Sequence, residues 1–175
     1  MIGDRSINRN KSDRPRLKPE FWPADWLLEG LALIGLLFFI GYFIYHFPKL
    51  PQIIPSHFNA AGEVDAYSSK SSLWLLAGMT VFIYGLLTFI SFIPDKFNFL
   101  VKITVQNANV QYSMAVRLIR YLKLIIVLLF TYIFYSTIRA ASYPSGGLGL
   151  WFMPVFLCLL FIPIILYGVF SYKRK

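Results

Sequence analysis

Four long apolar runs, separated by shorter polar segments, set the hydropathy pattern of the chain. A helix of roughly twenty apolar residues is long enough to cross the hydrocarbon core of a bilayer. The pattern therefore predicts four membrane-spanning helices, over residues 26–47, 73–93, 124–141 and 150–172. Together they predict an all-α integral membrane protein in which residues 21–175 form a single four-helix transmembrane bundle.

The segment between the second and third runs, residues 95–123, has a different pattern. Apolar residues recur there at steps of three and four, which is typical of a helix with one apolar face. They are Ala108, Tyr112, Ala115, Leu118, Ile119 and Leu122. Thr104 has a side chain suited to a helix N-cap. We predict an amphipathic helix that begins near Thr104 and continues without a break into the third span.

Composition supports the membrane assignment. Only 14% of the 175 residues are charged and 57% are hydrophobic, whereas about a quarter of the residues in a soluble domain are charged. The net charge of +9 does not indicate nucleic-acid binding, because the basic residues flank the apolar runs instead of lining one face. The lipid bilayer is therefore the predicted partner.

The distribution of positive charge predicts the orientation. Of the 17 Lys and Arg residues, fourteen lie in residues 1–20, 95–123 and 173–175, and the others are Lys49, Lys70 and Arg139. Basic loops and tails stay on the cytoplasmic side of a membrane. We predict that both termini and the amphipathic extension of the third helix are cytoplasmic, with an outer loop over residues 48–72. The polar, basic residues 1–20 predict a disordered tail.

One proline-rich stretch of the outer loop carries a distinctive motif. Its residues are Pro51, Pro55, His57, Phe58, Asn59, Gly62 and Asp65. The prolines restrict the backbone, and Asn59 and Gly62 suit a turn. Directly after a first span, this motif resembles a bacterial membrane domain of unknown function with the family number 1648. That domain also occurs at the start of SdpI-like immunity proteins.

The resemblance implies a bacterial inner-membrane protein with no established enzymatic activity. Its best understood relatives resist a secreted peptide toxin and signal the presence of that toxin to a cytoplasmic repressor. We therefore expect a non-enzymatic sensor, immunity or accessory protein whose outer loop, residues 50–65, meets a secreted peptide or another membrane protein. Association with a second copy of the chain is compatible with the four small spans.

Three titratable side chains of the loop leave alternatives open. His57, Glu63 and Asp65 could together bind a divalent metal and assist hydrolysis. They lack the fixed helical spacing of a metal-binding pair such as HExxH. We predict instead that His57 bonds to loop carbonyls and Asp65 caps a turn, with ligand contact as the second possibility. No catalytic residue, metal ion or cofactor is predicted.

Polar residues outside the loop add further hypotheses. Arg139 and the proline-containing fourth span would suit a small transporter component, but snorkelling to the headgroups is the preferred explanation of Arg139. Glu29 lies at the inner surface and could pair with a basic residue of the segment 95–123. A cytoplasmic output surface that meets lipid phosphates or an acidic partner is predicted at Asn107, Gln111, Arg117, Arg120 and Lys123. Asn107 and Gln111 are one turn apart, so they could equally hydrogen-bond another helix or form a solvated face.

The predicted orientation can be tested by cysteine labelling in intact cells. A cysteine at Ser68 should react with a membrane-impermeant reagent, and a cysteine at Asn98 should not, because the two positions lie on opposite sides of the membrane. Labelling at Asn98 alone would reverse the orientation.

Overall fold

The computed structural model describes residues 14–143 and 146–175. Its helices are α1 (Pro23–His46), α2 (Leu73–Ile90), α3 (Ala108–Ser142) and α4 (Phe152–Lys173). Two strands, β1 (Ile53–Phe58) and β2 (Val64–Ser69), form an antiparallel hairpin between α1 and α2. Residues 1–13 of the predicted basic tail lie outside the described residues.

The four helices expose apolar side chains over most of their surface. Leu75 of α2 is 72% exposed and Ile165 of α4 is 62% exposed. So much apolar surface is stable in contact with lipid and unstable in contact with water. Within the described residues, four helices are long and apolar enough to cross a membrane. This finding confirms the predicted four-helix transmembrane bundle.

The central helix of the bundle is α3, which packs against α1, α2, α4 and β1. Helices that follow one another in the sequence run in opposite directions, whereas α1 and α3 are parallel, so the starts of α1 and α3 lie beside the ends of α2 and α4. We call this side the terminal end (residues 14–29, 88–123 and 171–175). The opposite side, with the hairpin, is the hairpin end (residues 43–77, 134–143 and 146–152).

The long third helix is continuous, as predicted, but it begins later than predicted. The Thr104 hydroxyl accepts a hydrogen bond from the Asn107 amide at 3.3 Å, and Asn107 Oδ1 accepts one from the Thr104 amide at 2.9 Å. This reciprocal pair has the form of a capping box, and it organises the turn that leads into Ala108. Residues 97–107 contain no helix. Helix therefore occupies mainly the second half of the segment 95–123.

The loop over residues 48–72 contains a β-hairpin, which the sequence pattern did not predict. Ile53 pairs with Ser69 at its base, and Phe58 pairs with Val64 beside the turn. Pro55 fits inside β1 because both strands of a two-stranded sheet are edge strands, where a missing N–H donor is tolerated. The loop over residues 48–72 is thus an ordered element that projects from a helical bundle.

The base of the hairpin is anchored in an aromatic cluster. Ile54 is fully buried beside Phe39 and Phe43 of α1 and Phe134 of α3. The rings of Phe43 and Phe134 have centroids 5.1 Å apart, and a pair of this kind adds about 0.5–1.5 kcal/mol beyond its buried area. The cluster therefore couples the hairpin to both α1 and α3.

The chain before α1 is held against the terminal end. Arg14 donates a hydrogen bond from Nη1 to the carbonyl of Phe97 at 2.6 Å. The amide of Glu20 donates to the hydroxyl of Ser113 at 3.0 Å. Residues 14–20 of the predicted tail are thus connected to the start of α3 and to the segment that follows α2.

The hairpin turn also touches the connection between α3 and α4. Gly62 has a φ of +80°, a conformation that L side chains rarely adopt. Its carbonyl accepts a hydrogen bond from the amide of Leu148 at 2.8 Å. A Cβ on Gly62 would lie 2.6 Å from the carbonyl oxygen of Gly149. Glycine at position 62 therefore permits this close approach.

Gly62→Ala should lower the free energy of unfolding by about 1–3 kcal/mol, the cost of holding an L residue at positive φ. Gly41→Ala is the matched control, because a Cβ there meets nothing within 4 Å and alanine favours a helix over glycine. Thermal unfolding in detergent measures both variants. Equal melting temperatures for the two would contradict the close approach at Gly62.

Candidate functional site

Asn59 organises the hairpin turn. Its Oδ1 accepts hydrogen bonds from the amides of Ala61 at 2.9 Å and Glu63 at 3.0 Å. Its Nδ2 donates to a carboxylate oxygen of Glu63 at 3.1 Å, and its carbonyl accepts from the amide of Gly62 at 2.9 Å. This use of an Asn side chain to replace backbone partners is typical of a tight turn. Asn59 is therefore an architectural residue.

His57 pairs with Asp65 across the two strands. The distance from His57 Nδ1 to Asp65 Oδ1 is 2.5 Å, whereas the sequence predicted that His57 would bond to loop carbonyls. His57 lies opposite Ala66 in the ladder, which brings it close to the neighbouring Asp65. The two side chains are 67% and 41% exposed. An exposed ion pair contributes little to stability. Because both side chains are exposed, they are available for contact with another molecule.

The remaining motif residues divide by burial. Pro55 and Gly62 are buried and hold the hairpin in place, whereas Pro51 is exposed and Phe58 is half-buried.

Within residues 14–143 and 146–175, no three His, Cys, Asp or Glu side chains form a group that could hold a metal ion. The metal site considered for His57, Glu63 and Asp65 is therefore not assembled in this fold.

A network of charged side chains joins α1 to α3 near the terminal end. Asp25 accepts two hydrogen bonds from Arg117, each at 3.0 Å, and lies 3.2 Å from Nη1 of Arg120. Glu29 accepts from Nε of Arg120 at 3.2 Å and from the ammonium of Lys123. Asp25 and Glu29 are one helical turn apart, so one face of α1 presents both carboxylates.

The network also includes α2 and is mostly buried. Lys123 donates a second hydrogen bond to the Thr88 hydroxyl at 3.0 Å. Asp25, Arg120 and Lys123 are 0%, 3% and 1% exposed, and Arg117 retains 36%. The prediction of an accessible cationic surface is therefore wrong for Arg120 and Lys123. Buried charges require partners in a membrane bundle, and the acidic residues of α1 supply them.

The two amides of the predicted output surface have structural partners. Gln111 is fully buried, and its Nε2 donates to the carbonyls of Ser171 at 2.9 Å and Arg174 at 3.0 Å. It therefore caps the end of α4, where helix carbonyls lack partners of their own. Asn107 donates to the carbonyl of Lys102 at 3.0 Å, in addition to its bonds with Thr104. Sequence spacing placed the two amides one turn apart but could not indicate these partners.

A groove of about 930 Å³ lies between the hairpin turn and the connection from α3 to α4. Glu63 and Tyr67 of the hairpin line it, together with Tyr132 and Arg139 of α3. Tyr132 donates to the carbonyl of Leu148 at 2.9 Å, which fixes one wall. Arg139 is exposed, and it lies beside the hairpin rather than within the bundle.

These features define a polytopic membrane protein with an ordered hairpin at one end and a buried charge network near the other. Residues 33–81 match the family described as Domain of unknown function (DUF1648). The match covers much of α1, the whole hairpin and the first half of α2, and it confirms the resemblance that the loop motif carried. No curated protein and no solved structure shows a significant match to the chain.

The buried pair of Glu29 and Lys123 can be tested with a double-mutant cycle. Glu29→Leu should lower the free energy of unfolding by about 3–5 kcal/mol, because it leaves Lys123 buried without a carboxylate. The double variant Glu29→Leu/Lys123→Met should recover much of that loss, since an apolar pair can replace a buried ion pair.

Unfolding of the purified chain in detergent measures the cycle. Asp65→Leu serves as the control, because it removes a carboxylate from an exposed pair and should cost less than about 1 kcal/mol. A double variant as unstable as the sum of the two single variants would show that Glu29 and Lys123 do not interact.

Proposed function

We propose that this chain is a non-enzymatic membrane sensor, immunity or accessory protein whose hairpin meets a peptide or envelope partner. The observation that carries the proposal is the exposed pair of His57 and Asp65 on a hairpin that is held in place by other residues. Asn59 organises the turn and Ile54 anchors the base. Because the fold does not need the exposed pair for stability, recognition is the role that remains for it.

The hairpin end is suited to recognition for a second reason. The groove beside the hairpin contains aromatic and charged side chains, among them Tyr67 and Arg139. Aromatic residues and arginine are enriched where proteins bind one another. A peptide could therefore contact the hairpin and the groove together. The hydrolase alternative has less support, because the carboxylate of Glu63 bonds to Asn59 within the turn.

The proposed orientation places the hairpin outside a bacterial inner membrane and both termini in the cytoplasm. Eleven of the 14 Lys and Arg residues that the structure describes are in the segments at the terminal end, which would be the cytoplasmic side. Three of these eleven, Arg117, Arg120 and Lys123, pair with the carboxylates of Asp25 and Glu29 within the bundle. Eight others then remain at the terminal end against three at the hairpin end, so the bias persists.

The helix α3 offers a route from the hairpin to the other side of the membrane. Phe134 of α3 packs with Ile54 in the aromatic cluster, and Arg120 and Lys123 of the same unbroken helix lie in the charge network. A shift of α3 on partner binding would therefore change the pairing of these cations with α1. The proposed output is such a rearrangement, in place of the exposed cationic surface that the sequence indicated.

The proposal is tested with a photo-reactive residue at Ser56, the exposed neighbour of His57, in cells that produce the full chain. We expect a cross-link to a peptide or envelope protein, reduced several-fold by His57→Ala. The same substitution should change the free energy of unfolding by less than about 1 kcal/mol, because the pair is exposed.

The matched control carries the photo-reactive residue at Leu75, which faces away from the bundle on α2. A specific partner should appear only with the Ser56 position. Identical products from both positions, or a Ser56 cross-link that His57→Ala leaves unchanged, would contradict a recognition role for the hairpin.

A further inference from the structure

A basic cavity of about 720 Å³ lies at the terminal end, where the chain before α3 meets the end of α4. Its charged residues are Lys102, Arg174 and Lys175, and no Asp or Glu is among the residues that line it. The cavity is remote from the hairpin, and the charge network does not include any of its cations. It is therefore a separate feature of the molecule.

The cations of this cavity lack carboxylate partners among the described residues because the nearby acids bond elsewhere. Glu20 bonds to Asn109, and Asp95 pairs with Lys96. Asp25 and Glu29 are engaged in the charge network. None of the described carboxylates forms an ion pair with Lys102, Arg174 or Lys175. Among the described side chains, the cavity therefore keeps a net positive charge that a bound anion would neutralise.

The walls of the cavity are partly apolar. Leu100 and Val110 line it together with Tyr172, and Leu100 is 71% exposed. The ammonium of Lys175 lies 4.5 Å from the centroid of the Tyr172 ring. A small inorganic anion would use only the cations of such a site. An anion attached to a hydrocarbon chain would use the apolar wall as well.

The position of the cavity relative to the membrane also favours an anion attached to a hydrocarbon chain. It lies where the apolar helix α4 ends at Lys173, which is the level of the lipid headgroups for a spanning helix. Basic pockets between transmembrane helices bind the headgroups of anionic lipids. Charge, apolar wall and depth therefore all match one class of ligand.

We propose that this cavity binds the phosphate of an anionic phospholipid, with Lys102 and Arg174 contacting the phosphate and Leu100 and Val110 contacting the adjoining apolar part of the lipid. The site is independent of the partner proposed for the hairpin. Occupation by lipid would join the segment before α3 to the end of α4, at the end of the bundle where Gln111 already connects the two helices.

Native mass spectrometry of the full chain in neutral detergent tests the proposal, with phosphatidylglycerol as the probe. Lys102→Gln/Arg174→Gln should weaken binding by at least about ten-fold, since each cation near an anionic lipid contributes about five-fold in affinity. Arg16→Gln/Lys18→Gln is the matched control, because it removes the same charge from exposed residues of the terminal end outside the cavity. That variant should bind as the original chain does.

Three results would overturn the proposal. Equal loss in both double variants would indicate general surface attraction, and equal binding of phosphatidylcholine would indicate that the negative charge is not recognised. Binding of inorganic phosphate alone with the same affinity would assign the cavity to a free anion. If the double variant does not fold, Gln106→Glu introduces a carboxylate at the cavity lining and should weaken phosphatidylglycerol binding without removing any cation.

Discussion

The cost of burying charge inside a membrane bundle determines the arrangement of this protein. Arg120 and Lys123 can lie within the bundle only because Asp25 and Glu29 approach them from α1. A pair of this kind contributes little net stability compared with apolar packing, but separating its members is costly. The pairing therefore restricts how α1 can rotate or slide along α3, and it fixes the register of the central contact in the bundle.

The opposite end of the bundle uses aromatic packing and backbone hydrogen bonds instead of charge. Ile54 enters a cluster of Phe side chains from α1 and α3, and the hairpin turn bonds to the connection that precedes α4. The two ends share α3, which reaches both without interruption. Within the loop motif, Asn59 organises the turn, whereas His57 and Asp65 form an exposed titratable pair.

This division changes the meaning of the basic residues. Some neutralise acids within the bundle, and others, such as Lys102 and Arg174, line a cavity without carboxylates. A count of charges treats the two groups alike, although only the second can attract an anion from outside. Their different surroundings follow from which helices face each other at each level of the membrane.

The sequence by itself determined the four spans and the single unbroken third helix, because apolar length and helical period are local properties. The motif around His57 also indicated the resemblance to a domain of unknown function, and residues 33–81 match that domain. Helical spacing showed that Arg117, Arg120 and Lys123 could share a face, but not which helix that face would meet. Only the tertiary structure decided which helix that face meets, since Lys123 and its partner Glu29 are separated by 94 residues.

The hairpin was not predicted for a related reason. Its short strands are stabilised by the buried Ile54 and by cross-strand bonds, which a local pattern does not reveal.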